Sequence, residues 1–242
     1  MIIDRYVWLA WASAFLIPWA MLYLAFPRHR RVMIWASLFT APFGLTEPLF
    51  VPEYWNPPSL FDLASRTGFD VESLIFCFGI GGVGAVLVNV VTGRTVRPLH
   101  QGERSGPRHR LHRWILLSPF VIFTALLPSG WNPIYGGIVA MLAGAALTVW
   151  CRPELARSTL LGGVIFLLYY GAFLIGLELT APGYVQRVWN WEALSGFRLG
   201  FMPLEELLFA VGFGAYWAGV YEHFTWSRPE PVVARSQSLS LK

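Results

Sequence analysis

Residues 68–81 read GFDVESLIFCFGIG, and residues 201–214 read FMPLEELLFAVGFG. The two align without a gap at an offset of 133 residues, 201 against 68, matching Glu72 with Glu205, Leu74 with Leu207, Phe76 with Phe209, Gly79 with Gly212 and Gly81 with Gly214. Such a duplication constrains the architecture before any single element does. Each copy opens on an acid and runs into apolar residues and glycines, as a helix does on entering an apolar phase.

Outward from these copies the chain is apolar almost throughout. It has 242 residues, 55% of them hydrophobic and 13% charged, with a mean hydropathy of +0.52. That lies outside the range of soluble globular domains. Apolar runs occupy about 6–26, 32–50, 71–92, 114–128, 134–151, 158–179 and 203–226, most of them near the ~20 residues a helix needs to cross ~30 Å of hydrocarbon. In lipid, runs of this kind satisfy their backbone groups as helices. The expected fold is therefore all-α, a polytopic membrane bundle of seven transmembrane helices.

The duplicated segments open the third and seventh of these helices. Being four spans apart, they enter the membrane from the same side, which gives a 3+1+3 parallel tandem repeat with a pseudo-two-fold axis along the membrane normal. Residues 1–113 then hold the first three-helix repeat and a basic cytoplasmic loop, and 114–130 the linking helix. Residues 131–226 hold the second repeat, and 227–242 a polar, proline-bearing tail read as disordered. A looser match of GLTEP (44–48) with GLELT (176–180) sets Glu47 near Glu178.

Lys/Arg placement gives the orientation. Arg28, Arg30, Arg31, Arg94, Arg97, Arg104, Arg108, Arg110, Arg113, Arg152, Arg157, Arg228, Arg235 and Lys242 fall in one set of loops, against Arg5, Arg66, Arg187 and Arg198 in the other. The N-terminus is expected outside and the C-terminus inside, in a bacterial cytoplasmic (inner) membrane. The net charge of +4 reflects mostly this bias. At a membrane face, the arginine-rich loop HQGERSGPRHRLHR (100–113) points to membrane lipids as partners, with no nucleic acid. The first apolar run is not read as a cleaved signal, because its arginines follow it. Cys77 and Cys151 are read as packing residues. The tryptophans of YWNPP (54–58), GWNPI (130–134) and VWNWE (188–192) suit an interfacial aromatic belt.

Positions i, i+4 and i+7 share a helix face, so Glu72, Phe76 and Gly79 form one stripe and Glu205, Phe209 and Gly212 its copy. Each stripe points a carboxylate, a ring and a gap in one direction, the glycines admitting a second helix or a rigid ligand. Glu205 and Glu206 diverge by about 100° and cannot serve one atom from the same direction. With Glu47 and Glu178 they would build an acidic, pseudo-symmetric site in the outer half of the bilayer. Intramembrane acids cost roughly 2.5 kcal/mol or more to insert and are functional by default.

The string Pro203, Leu204, Glu205, Glu206, inside a duplicated three-helix unit, resembles the P-x-E-E/D motif of the membrane-integral lycopene cyclases, the family of the heterodimeric bacterial enzymes and of fused cyclase domains in archaea and fungi. The first copy departs from it, reading Asp70, Val71, Glu72, Ser73, with no proline and no second acid. The resemblance implies an enzyme that protonates a terminal double bond of lycopene or a relative. The next double bond then attacks the cation, and loss of a proton leaves a β-ionone ring without redox change or cofactor. It implies Glu205 as the acid, with Glu206 or Glu178 as base or anionic counterweight and Glu72 and Glu47 in the same acidic set. Phe76, Phe209, Tyr216 and Trp217 would steady the cation, and Gly79 and Gly212 would make room for the polyene. Homo-oligomers and other carotenoid enzymes are the protein partners it admits.

Rival signals are weaker. GIGGVG (79–84) fits a dinucleotide fingerprint but lies in a membrane helix and follows no strand. His100, His109 and His112 share one arginine-rich loop and are read as binding no metal. Retinal proteins share the helix count, but the only lysine is Lys242 in the tail. The alternative functions are a SWEET-like 3+1+3 small-solute transporter and a non-catalytic carotenoid-binding protein.

Overall fold

A computed structural model describes residues 4–232. In chain order they form α1 (Asp4–Ala14), α2 (Leu16–Ala25), α3 (Arg30–Thr40), α4 (Leu63–Thr67), α5 (Val71–Val91), β1 (Arg94–Pro98), α6 (His112–Leu126), α7 (Pro133–Cys151), α8 (Ala156–Thr180), α9 (Tyr184–Val188), β2 (Arg198–Leu199), β3 (Met202–Pro203), α10 (Leu204–Thr225) and β4 (Ser227–Pro231). Among these residues, five helical stretches are long and apolar enough to cross a membrane: Arg5–Ala25, Val71–Val91, Pro107–Ser129, Pro133–Cys151 and Pro153–Thr180. The first combines α1 and α2 across a break at Phe15. Pro18 causes it, having no N–H to donate to the carbonyl four residues back.

The other two expected helices differ from their simple reading. Residues 32–50 are α-helical only to Thr40 and continue as a 3₁₀ helix over Ala41–Leu49. Pro42 and Pro48 remove donors from that stretch, and Thr40 Oγ1 donates back to the Ala36 carbonyl at 2.6 Å. The last helix, α10, carries Glu205, Glu206 and Glu222 and is buried on almost every side, packed against α5, α7 and α8. Its acids face protein groups, which is how a polar helix is accommodated within a bundle.

The offset of 133 recurs in three dimensions. Val71 and Leu204 start α5 and α10, and Arg94 and Ser227 start β1 and β4, each pair at that spacing. The strands pair antiparallel with Val96 opposite Pro229, so each lies against its own copy. Nearby, Asn89 Nδ2 donates to Glu222 Oε1 at 2.8 Å, again a residue and its copy. At the opposite end of the bundle Trp55 and Trp189 form an antiparallel bridge. There the Asn56 N–H donates to the Val188 carbonyl at 2.8 Å, and the Asn190 N–H to the Tyr54 carbonyl at 2.9 Å.

Helix crossings repeat as well. A Cβ on Gly81 of α5 would lie 2.2 Å from Thr40 Oγ1 of α3, and one on Gly214 of α10 would lie 2.3 Å from the Gly162 carbonyl oxygen of α8. Only glycine permits these approaches.

Two expectations need correcting here. The tail does not become irregular at 227, because Ser227–Pro231 is a paired strand; residues 233–242 lie outside the described residues. Trp55 and Trp189 are not belt residues: they are buried and face each other, with ring centroids 5.4 Å apart, while Trp131 is exposed.

Candidate active site

A cavity of about 360 Å³ lies inside the bundle, walled mainly by aromatic and aliphatic side chains. Trp8, Trp11, Phe15, Phe39, Phe43 and Trp55 come from the first half of the chain and Tyr170, Phe173, Phe209, Phe213, Tyr216 and Trp217 from the second. Two carboxylates reach its wall, Glu47 and Glu206.

Glu206 sits in the first turn of α10, 3% exposed. It accepts hydrogen bonds from the Tyr54 hydroxyl, from the Tyr170 hydroxyl at 2.6 Å and from Trp189 Nε1 at 2.8 Å. Burial, and then the charge of Glu206, push the Tyr54 hydroxyl well above its ordinary value, so Tyr54 stays a donor. The antiparallel bridge at Trp55 and Trp189 places Tyr54 and Trp189 together, so the pseudo-symmetric contact holds two of the three donors.

Glu47 lies in the 3₁₀ stretch after α3. Its Oε2 accepts from Ser73 Oγ at 3.0 Å, while its buried Oε1 has no hydrogen-bond partner. Ser73 occupies the position of the first repeat that aligns with Glu206. Asp70 caps α5 beneath it, accepting from the Ser73 N–H at 2.5 Å.

Glu205 departs from its expected place. It is buried but does not reach the cavity; its Oε1 accepts from the Tyr135 hydroxyl at 2.7 Å and the Ser195 N–H at 2.8 Å. Glu72, its copy, also lies outside the wall and accepts from the Leu60 N–H at 2.7 Å. Both therefore fasten a preceding loop to the start of a helix. The reason is angular: the step of about 100° per residue that turns Glu205 toward Tyr135 and Ser195 brings Glu206 to the cavity.

Glu178 closes the turn from α8 to α9, accepting from the Gly183 N–H at 2.5 Å and the Val185 N–H at 3.4 Å, and does not line the cavity. Phe76, Phe209, Tyr216 and Trp217 all line it. Gly79 and Gly212 do not; the first packs on Phe15 and the second faces Met141 and Leu142 of α7. Tyr54, Tyr170, Trp189 and Ser73 were not among the expected site residues. The signal for two of them was the paired YWN and VWN strings.

With this geometry in view, residues 132–224 match the family model described as Lycopene cyclase. Over these residues the chain is similar to the lycopene cyclase family. Comparison with curated proteins and with solved structures finds no match. The matched segment spans α7 to α9 and α10 up to its last residue, and so holds Glu206, Tyr170 and Trp189, whereas Glu47, Ser73 and Tyr54 come from outside it. The family match supports a carotenoid cyclase function, and with several long apolar helices it supports membrane association.

Proposed function

We propose that this chain is a β-cyclase acting on lycopene or a related linear polyene, embedded in a bacterial inner membrane as seven spans in a 3+1+3 arrangement with the N-terminus outside. The observation that carries the reading is an aromatic cavity in which the second acid of the P-x-E-E string, Glu206, is buried among three hydrogen-bond donors. Both irregular spans have the length required: about 33 Å for the 22 residues of α10, and roughly 34 Å for α3 with its 3₁₀ continuation.

In this mechanism Glu47 is the acid. With one oxygen held by Ser73 and the other unpartnered, it is arranged to carry a proton toward a double bond in the cavity. Protonation of the terminal isoprenoid double bond leaves a tertiary cation, which the neighbouring double bond attacks to close the ring. The rings of Phe76, Phe209 and Trp217 each stabilise the cation by ~0.5–2 kcal/mol. Glu206, fixed as an acceptor by its three donors, is the anionic counterweight and takes the proton lost from the ring. One proton enters and one leaves, so the reaction is an isomerisation; it ends with Glu47 ionised and Glu206 protonated, and return of that proton to Glu47 resets the site. Glu205 passes from acid, as the motif implied, to loop anchor.

Expression in a bacterial host that accumulates lycopene tests this, with pigments separated by chromatography. Monocyclic or bicyclic products with β-ionone ends are expected. Unchanged lycopene, with the protein present in the membrane, overturns the proposal; pigment that co-purifies unchanged points instead to a non-catalytic binder.

A further inference from the structure

The histidines of the arginine-rich loop do not stay in a loop of their own. His109 lies in the 3₁₀ turn Pro107–Leu111 and His112 starts α6; the α6–α7 hairpin returns the chain so that Cys151, the last residue of α7, falls between them. Cys151 Sγ is 3.6 Å from His109 Nδ1 and 3.6 Å from His112 Nδ1, and the three atoms lie within 4.8 Å of one another. Two imidazole nitrogens and one sulfur thus form one cluster.

The two sulfur-to-nitrogen distances suit a particular ion, which would draw the two nitrogens together within the 4.8 Å cluster. Zinc bonds of ~2.3 Å to sulfur and ~2.0–2.1 Å to nitrogen, at a tetrahedral angle, place sulfur and nitrogen about 3.6 Å apart. Cys151 is wholly buried and His112 nearly so. The His112 ring stacks on Trp226 with centroids 3.8 Å apart, which fixes its plane, and its Nε2 is buried without a partner. His223 stands edge-on to the same ring at 4.5 Å. The neighbouring cation, Arg152, is paired with Glu154 at 2.6 Å and donates to the Ser227 carbonyl at 2.8 Å, so its charge is already engaged. A metal-bound thiolate with two neutral imidazoles would use all three groups as ligands.

We propose that His109, His112 and Cys151 bind a zinc-type divalent cation, with a fourth position open to water, and that the ion ties the start of α6 to the end of α7 at the end of the bundle remote from Glu206. The proposal is independent of the cyclase reading. Cys151, read from sequence as packing, becomes a ligand.

The test uses the full chain in detergent micelles with any affinity tag removed, stripped by chelator and titrated with Zn²⁺ or Co²⁺ alone. About one Zn²⁺ per chain is expected, with X-ray absorption at zinc giving one sulfur at ~2.3 Å and nitrogen or oxygen neighbours at ~2.0 Å. Co²⁺ should give a sulfur-to-cobalt charge-transfer band and visible bands of tetrahedral intensity. Cys151→Ser should abolish the charge-transfer band, and His109→Ala or His112→Ala should reduce bound metal to a small fraction. His100→Ala, an exposed change in the same loop, should leave both signals intact. Absence of stoichiometric metal in the unaltered chain, or a zinc shell without sulfur, overturns the proposal even if every variant misfolds. A charge-transfer band that survives Cys151→Ser overturns it too.

Discussion

Glu206 accepts three hydrogen bonds inside an apolar cavity, and Glu205, one residue before it, accepts two outside that cavity. The substitution that removes charge while keeping shape should therefore separate them. Glu206→Gln and Glu47→Gln are each expected to lower cyclisation by about 10²–10⁴-fold, the usual worth of a positioned acid or base. Glu205→Gln retains an oxygen for Tyr135 and Ser195 and should turn over within a few-fold of the unaltered chain. Initial rates of ring formation in membranes containing lycopene measure all three. A severe loss in Glu205→Gln alone would return the acid's role to the motif's first glutamate. The sequence made the acid pair legible as a site, because two carboxylates opening a membrane helix demand an explanation. The motif pointed to Glu205 as the acid, and the sequence could not show that Glu206 faces the cavity, since the packing that selects the inward-facing position comes from Tyr54, Tyr170 and Trp189, between 17 and 152 residues away.

Helix contacts carry the duplication further than the acids do. At the α8–α10 crossing, a Cβ on Gly214 would meet backbone at 2.3 Å, which no side-chain rotation relieves. Gly214→Ala should destabilise the fold by about 1–3 kcal/mol, as overpacking does. Gly171→Ala, also on α8 but with nothing within 4 Å of the added atom, should be neutral or slightly stabilising because alanine favours helix. Unfolding by denaturing detergent, followed by circular dichroism, compares them. The strand β4 offers a second measurement. Arg228 on β4 pairs with Glu103 at 2.7 Å, and the His100 N–H together with Arg228 holds the Glu103 carboxyl below its usual range. A carboxyl depressed in the folded state contributes stability above its unfolded value of about 4.3, and loses it as pH falls through the folded value. Protection of the β4 amides, referred to intrinsic exchange at the same pH, should fall only below about pH 4.3. The constant spacing of 133 was readable because both copies kept their glycines. The 3₁₀ stretch and the β1–β4 ribbon were not, since one depends on two prolines acting on a local ladder and the other on strands of five residues whose partner lies in the other repeat.

At the scale of the molecule, two-fold contacts tie both ends of the bundle, the Trp55–Trp189 bridge at one and the β1–β4 ribbon at the other, yet the chemistry between them is not two-fold. Ser73 stands where symmetry would put a second Glu206, and Glu47 has no counterpart in the wall because Glu178 is spent on the α8–α9 turn. The repeat supplies a frame, and divergence within it leaves one acid from each half facing one cavity. If the proposed cyclase reaction runs here, one chain has one site and closes one ring per visit. A bicyclic product then requires release of the monocyclic polyene and its return with the other end inward. A time course in lycopene-containing membranes should show the monocyclic compound rising before the bicyclic one. Labelled lycopene chased with excess unlabelled monocyclic compound should leave most label in the monocyclic pool. Label passing directly into the bicyclic product would mean that both ends are cyclised without release, and a second active centre would have to be sought between two copies of the chain.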